Sequence, residues 1–401
     1  MITATVSPEE MPHDEAAVAR AKLSLLAGNF AIGCGVMVAA GSLNDMVRSL
    51  QVSVAVGGQL ISVAAVVMAI GAPVMAAVVG GIDRRLLLTL ALVWYAAGHL
   101  LSALMPDFAW LLPVRAACML GAALFTPQAA AVINVMARPE DRGRAITTIF
   151  LGWSLASVIG MPLHSYIGEA FGWRWAFVLV ALLSLAAALW VWRTVPRGVR
   201  PPPLSLASWG AVFTHPLLMG MVAVTALSAA GQFTVFSYFA PYYSQVLGAD
   251  AAGVSLLFLW FGLFGLAGNL LLGRWVDRLG PAVCVNLTLV LVLVSLLAWP
   301  LAGGVMTMAL VMIPWGLGCF AANSAQQARL GTSAPQYAPA LLALNTSAMY
   351  LGQAIGAAGG GAMLAAGGFG TLHWPAAAWV LGAIVLSVWL ARRMALRPAT
   401  A

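Results

Sequence analysis

The stretch 251–280, AAGVSLLFLWFGLFGLAGNLLLGRWVDRLG, decides the fold. From Ala251 to Gly273 it carries no charged residue, and about 20 apolar residues are what an α-helix needs to cross a bilayer. The run then stops at Arg274, Asp277 and Arg278, which mark a polar membrane face. An earlier run closes the same way, on Gly80-Gly81-Ile82-Asp83-Arg84-Arg85. An apolar run followed by a charged turn, occurring twice, predicts two related halves built from membrane-spanning helices.

Working outward from 251–280, runs of this kind centre near Gly33, Ala65, Ala96, Gly121, Ala156, Leu183, Leu227, Gly262, Val290, Trp315, Gly352 and Leu381. The expectation is an all-α membrane protein with twelve spans in two six-helix halves. Composition agrees: 62% of the residues are hydrophobic and 8% charged, whereas a soluble domain carries about 25% charged residues. Spans 6 and 7 are separated by a stretch holding Pro196, Pro201, Pro202 and Pro203, which reads as a semi-rigid linker. The predicted division is a tail over 1–19, a first half over 20–193, a linker over 194–214, a second half over 215–393 and a tail over 394–401.

Orientation follows from the basic residues. Arg20 and Lys22 precede span 1, and Arg84 and Arg85 follow span 2. Arg138, Arg142, Arg144, Arg193, Arg197, Arg200, Arg274, Arg278, Arg329, Arg392 and Arg393 all fall on the same side. Arg48 and Arg174 fall on the other. That bias puts both termini and the linker in the cytoplasm. It also assigns the formal charge of +7 to topology and anionic lipid, not to nucleic acid. Glu9, Glu10, Asp14 and Glu15 precede the first run, the wrong sign for a signal peptide. Cys34, Cys118, Cys284 and Cys319 lie singly in apolar runs, so neither a disulfide framework nor a zinc site is expected. HExxH, GxSxG and paired carboxylates are missing from the spans, which argues against an intramembrane enzyme. No cofactor or metal is expected, and the protein reads as a monomer.

The motifs resemble those of the major facilitator superfamily, and within it the drug:proton antiporter branch of arabinose-, purine- and chloramphenicol-efflux-like permeases. Gly273-x-x-x-Asp277-Arg278-x-Gly280 is similar to the superfamily's loop motif, with a shortened first copy at Gly81, Asp83 and Arg84. Gly152 to Gly160-Met-Pro162 on span 5 resembles the antiporter motif of exporters. Arg115 with Gly121 on span 4 resembles the motif that begins with a buried arginine. Met119 and His164 stand where glycines are usual. The resemblance implies an inner-membrane exporter of a small organic molecule, driven by proton antiport. A sugar or nucleoside permease, or an uptake symporter, fits the same scaffold.

In this superfamily spans 1, 4, 7 and 10 line the cavity, helped by 2, 5, 8 and 11. Candidate substrate-binding residues are Asn29, Phe30, Gln128, Trp153, Gln232, Phe233, Tyr238, Trp315, Asn345, Tyr350 and Gln353. Uncharged amides and aromatics suit a neutral or amphipathic solute. For proton coupling the candidates are Asp45, Arg115 and His164, because no Asp or Glu falls mid-span and an intramembrane arginine usually faces a partner or a cavity. Asp45 is expected near enough to Arg115 to pair with it. His99 on span 3 reads as a packed core residue. Close packing is expected at Gly152, Gly160 and Pro162, with Gly262, Gly265 and Gly268 of span 8 as partner face, and at Gly352, Gly356 and Gly360. The turns at 81–84 and 273–280 are expected to latch and release one side of the transporter.

The topology is testable. A cysteine introduced into the 194–200 segment is expected to react with an impermeant maleimide only after the cells are opened. Labelling in intact cells overturns the assignment.

Overall fold

In the computed structural model, the described residues are 15–79, 82–138, 141–200 and 206–395. The first half comprises α1 (Glu15–Gly41), α2 (Leu43–Ser49), α3 (Val54–Gly57), α4 (Gln59–Val78), α5 (Arg84–Leu104), α6 (Phe108–Met136), α7 (Arg142–Leu155), α8 (Met161–Phe171) and α9 (Trp173–Thr194). A short α10 (Leu206–Phe213) leads into the second half. That half comprises α11 (Pro216–Phe236), α12 (Phe239–Gln245), α13 (Ala251–Leu279), α14 (Pro281–Ala298), α15 (Val305–Ser333), α16 (Ala338–Gly367) and α17 (His373–Ala395). Among the described residues, 11 helical segments meet the length and hydropathy needed to cross a membrane. The 30-residue α16 stands between the tenth and the last of them and completes the twelve expected spans.

Sequence sets the breaks between helices. Asp83, Asp107 and Asp250 each accept a backbone N–H at the start of α5, α6 and α13, from Leu86, Trp110 and Gly253. Such caps satisfy donors that a helix start leaves open. Gly172 and Gly280 turn the chain at φ +94° and +81°, which side chains rarely tolerate. Span 5 is one continuous rod with a π segment from Ala156 to Gly160 between α7 and α8. Pro162 has no N–H to give to the turn before it, and the ladder widens there, with Met161 N–H reaching back to the Ala156 carbonyl.

The boundaries differ from those expected at three places. Helix α1 is described from Glu15, inside the predicted tail, where Glu15 puts a carboxylate in the first turn and pairs with Arg138 at 2.5 Å. The linker contains α10, in which Trp209 stacks on Phe213, so 194–214 is not extended throughout. Helix α17 runs on to Ala395. Residues 1–14 and 201–205 lie outside the described residues.

The glycine faces also pair differently from the expectation. A Cβ at Gly152 would meet Phe30 N at 2.7 Å, and one at Gly160 would meet Cys34 Sγ at 2.8 Å. The partner of both is therefore α1, not α13. Of the span 8 glycines, Gly262 lies against Val158, while Gly265 and Gly268 lie against Phe320 and Leu317 of α15. Gly352, Gly356 and Gly360 face α11, at Ala226, Ala230 and Thr234. Lipid gives no hydrophobic drive for helices to associate, so backbone proximity of this kind is what holds the bundle.

The contact at Gly356 is measurable. A Cβ there would lie 2.9 Å from Thr234 N, so Gly356→Val is expected to cost about 1–3 kcal/mol. Thermal unfolding of the purified protein in detergent reads it. An unchanged midpoint contradicts the tight α11–α16 seam.

Candidate functional site

The two halves meet along α4 with α16, and along α8 and the π segment with α13. At the end that carries Asp45, Asn44 Nδ2 donates across the seam to the Ala240 carbonyl at 3.1 Å. The Tyr238 ring sits against Gly58 of the first half, and Gly361 lies against the Ala55 carbonyl. Tyr238 also donates to the Ala357 carbonyl at 2.6 Å. A groove of about 340 Å³ opens at this end, lined by Asn44, Arg48, Glu169, Ser244 and Asp250. Along span 5, α13 packs on α8 and the π segment but barely meets α7.

The expected lining residues divide into fasteners and half-buried surface. Asn29 is fully buried; its amide donates to the Ile149 carbonyl at 3.1 Å and accepts from Thr126 at 2.9 Å, fastening α1 to α6 and α7. Asn345 plays the same part in the second half, accepting from Thr225 at 2.5 Å and donating to Asn323 at 3.2 Å. Gln128, Tyr350 and Gln353 are buried. Trp315 is buried too, wedged against Phe239, Phe261 and Trp299. Its indole donates to Gln232 at 3.2 Å, and Gln232 donates to Ser228 at 3.1 Å. Phe30, Trp153, Gln232 and Phe233 are half-buried and keep surface toward open space. Trp153 packs over Gly33.

The ionisable groups form one cluster in the first half. Arg115 of α6 is fully buried, seven residues beyond Phe108. Its guanidinium donates to the carbonyls of Gly35 at 2.8 Å and Val36 at 3.3 Å on α1, and meets His99 Nε2 of α5 at 3.2 Å. Its Cζ stands 5.6 Å over the Phe177 ring. Neutral acceptors and a ring face take the place of a counter-ion, which is costly at this depth. His164 of α8 is fully buried against α1 beside Gly41, with both ring nitrogens unpaired.

Asp45 does not reach Arg115. It accepts from Trp173 N–H at 2.6 Å and lies 3.9 Å from Arg48, which also pairs with Glu169. The sequence placed Asp45 and Arg115 at similar depth, but α2 breaks from α1 after Gly41 and carries Asp45 to the start of α9. His99, expected only as core packing, is a partner of Arg115 instead. Its spacing of four from Tyr95 places it on the α5 face that meets α1, and a mid-span arginine signals that a polar partner is near.

The charged turns are placed locally. Asp83 caps α5 and accepts from Gly198 N–H at 2.5 Å, while Arg84 donates to Val79 and Ile82 carbonyls at 2.7 and 2.9 Å. These contacts bind the turn to the start of the linker within the first half. Gly81 and the Asp277 side chain lie outside the described residues. Gly273 and Arg278 ride the last turns of α13, and Gly280 starts α14.

Among the described residues, twelve long apolar helices form two halves, the architecture of a multi-pass membrane protein. The chain belongs to the Major Facilitator Superfamily, whose description matches residues 25–357. It is 28% identical over 365 residues to the MFS-type transporter YbcL of Bacillus subtilis strain 168, over 90% of this chain and 93% of that protein. It is 29% identical over 363 residues to the inner membrane transport protein YdhP of Escherichia coli K12, over 90% of this chain and 92% of that one. The fold is similar to that of a bacterial homologue of the human lysosomal transporter Spinster in an inward-facing, occupied conformation. The TM-score there is 0.71 at 16% identity, over 98% of this chain and 100% of the other.

Asp83→Asn keeps an acceptor for Leu86 but weakens the hold on Gly198. It is expected to leave the fold intact and slow transport several-fold, roughly the loss of one charge-assisted hydrogen bond. Transport at the unmodified rate and equal protein level removes Asp83 from gating.

Proposed function

We propose that this chain exports a small, neutral or amphipathic organic molecule from the cytoplasm in exchange for protons, by alternating access. It sits in a bacterial inner membrane with the arginine-rich end inside. The observation that carries the reading is the π segment within span 5. The Gly152–Pro162 segment, which resembles the exporter motif, widens into a π turn where span 5 touches both α1 and, across the seam, α13. A deformable turn at that point lets one half rock on the other. Half-buried Phe30, Trp153, Gln232 and Phe233 supply flat faces and one amide for an uncharged solute.

Arg115 and His164 are the coupling groups in this reading, and both adjoin α1. Asp45, with Arg48 and Glu169, ties α2 to α8 and α9 at the outer end of the first half. The Asn44–Ala240 bond, which joins the halves at the outer end, supports access from the opposite, cytoplasmic side in this reading. The inner-membrane placement is supported by the arginine bias and by the name of the Escherichia coli relative.

Proteoliposomes with an imposed pH gradient test this directly, using a panel of drugs, nucleosides and sugars. At least one solute is expected to move up its own gradient while protons move down theirs, and a protonophore is expected to abolish that movement. Accumulation that ignores the protonophore removes proton coupling, and uptake into cells that depends on the protein reverses the direction.

A further inference from the structure

Within the first half, the ionisable groups at membrane depth gather around a single turn of α1. His99 is fixed in one tautomer by its neighbours. The Tyr95 carbonyl only accepts, so the 2.8 Å contact makes Nδ1 the N–H of the ring. Nε2 is then bare, and it accepts from the Arg115 guanidinium at 3.2 Å. Cys118 Sγ approaches both Nδ1 and the Tyr95 carbonyl, at 3.2 and 3.5 Å. The same guanidinium holds the Gly35 and Val36 carbonyls. Tyr95 holds the Ile32 carbonyl at 3.0 Å, one turn along α1.

We propose that His99 Nε2 is a proton-binding site whose occupation releases Arg115 from His99 and loosens the hold of α5 and α6 on α1. The step balances simply. A proton bonds to the Nε2 lone pair, the Arg115 N–H···Nε2 bond breaks, and no other bond order changes. Two cations then face each other across the former hydrogen bond, and like charges that close repel strongly where water is excluded. The guanidinium must move, and its other two bonds are to α1. Proton arrival at His99 is thereby tied to the position of the span that packs against the π segment of span 5.

The surroundings supply no competing acid. His99 faces Tyr95 on its own helix, Arg115 and Cys118 on α6, the Cys34–Val36 turn of α1, and the Phe177 ring of α9 at 5.6 Å. Among the described residues no carboxylate adjoins it. The second buried imidazole, His164 of α8, touches α1 through its Cβ at Gly41, six residues from Gly35.

The inference deepens the proton-exchange reading and rests on it for its role in transport. The test uses the full chain labelled with 15N-histidine in nanodiscs, with hydrogen exchange of α1 measured in parallel. The His99 signals are assigned from His99→Gln. If that variant does not fold, they are assigned by removing the other histidines in turn: His13→Gln, His164→Gly, His215→Gln and His373→Gln. At the alkaline limit His99 is expected to show one N–H and one bare nitrogen. As the pH is lowered from about 8 to about 3, both nitrogens are expected to become N–H, with the facing Arg115 charge opposing the proton. Over the same range, amide protection near Gly35 and Val36, corrected for intrinsic exchange, is expected to fall about tenfold, the loss of one charge-assisted bond.

A bare Nε2 throughout that range overturns the inference, and so does protonation that leaves α1 protection unchanged. Flux separates this from the antiport reading. Gradient-driven export with a silent His99 keeps the antiporter and discards His99 as its proton site. A titrating His99 linked to α1, with no gradient-driven solute, keeps the proton site and discards antiport.

Discussion

The structure depends on one constraint: inside a bilayer, no polar group has water to fall back on, and apolar surface gains nothing by meeting more apolar surface. Helices must therefore be held by close backbone approach and by polar bonds made internally. The seams follow this rule. Gly152 and Gly160 let span 5 lie on α1, and Gly352, Gly356 and Gly360 let α16 lie on α11. Between them sit amide fasteners of matching chemistry, Asn29 with Thr126 and Asn345 with Thr225. Each of these pairs spends its hydrogen bond within its own half.

Much of this was legible in the sequence because membrane spans announce themselves by length and hydropathy. The run ending at Gly273 fixes span 8 without reference to any other residue, and the arginine bias orders the ends. The families of small residues were legible too, but not their partners. Periodicity shows which residues share a helix face; it does not show which of several neighbouring helices that face meets. Gly152 and Gly160 were read against span 8 and lie on α1, and only Gly262 of the span 8 set meets span 5.

The site was harder to read for a related reason. Depth along a span can be counted in residues, so Arg115 and Asp45 looked like partners. The bend after Gly41 turns α2 away and gives Asp45 to Trp173 N–H. His99 looked like core because a lone histidine on an apolar helix usually is, and burial alone does not separate the two cases. What separates them is that Arg115 lacks a carboxylate. An uncompensated guanidinium at that depth has to find neutral acceptors, and the imidazole of His99 is one that a sequence can offer. Trp315 erred in the opposite direction: an aromatic at midplane on a cavity-lining span reads as lining, yet it is packed among Phe239, Phe261 and Trp299, and only its indole N–H reaches Gln232.

The absence of mid-span carboxylates among the described residues then has a physical consequence for coupling. A carboxylate facing an arginine is an ion pair, and protonating it weakens an attraction. An imidazole facing an arginine is a neutral acceptor, and protonating it turns attraction into repulsion. For the same single proton the change in force on the guanidinium is of the same size, because one unit of positive charge is added at the same distance, but the second arrangement ends in net repulsion where the first ends near neutrality. It also needs no buried negative charge in the unprotonated state, only a lone pair. A first half that keeps its one deep cation against carbonyls and an imidazole therefore holds α1 in place when deprotonated and pushes on it when protonated, and α1 is the helix on which both span 5 glycines rest.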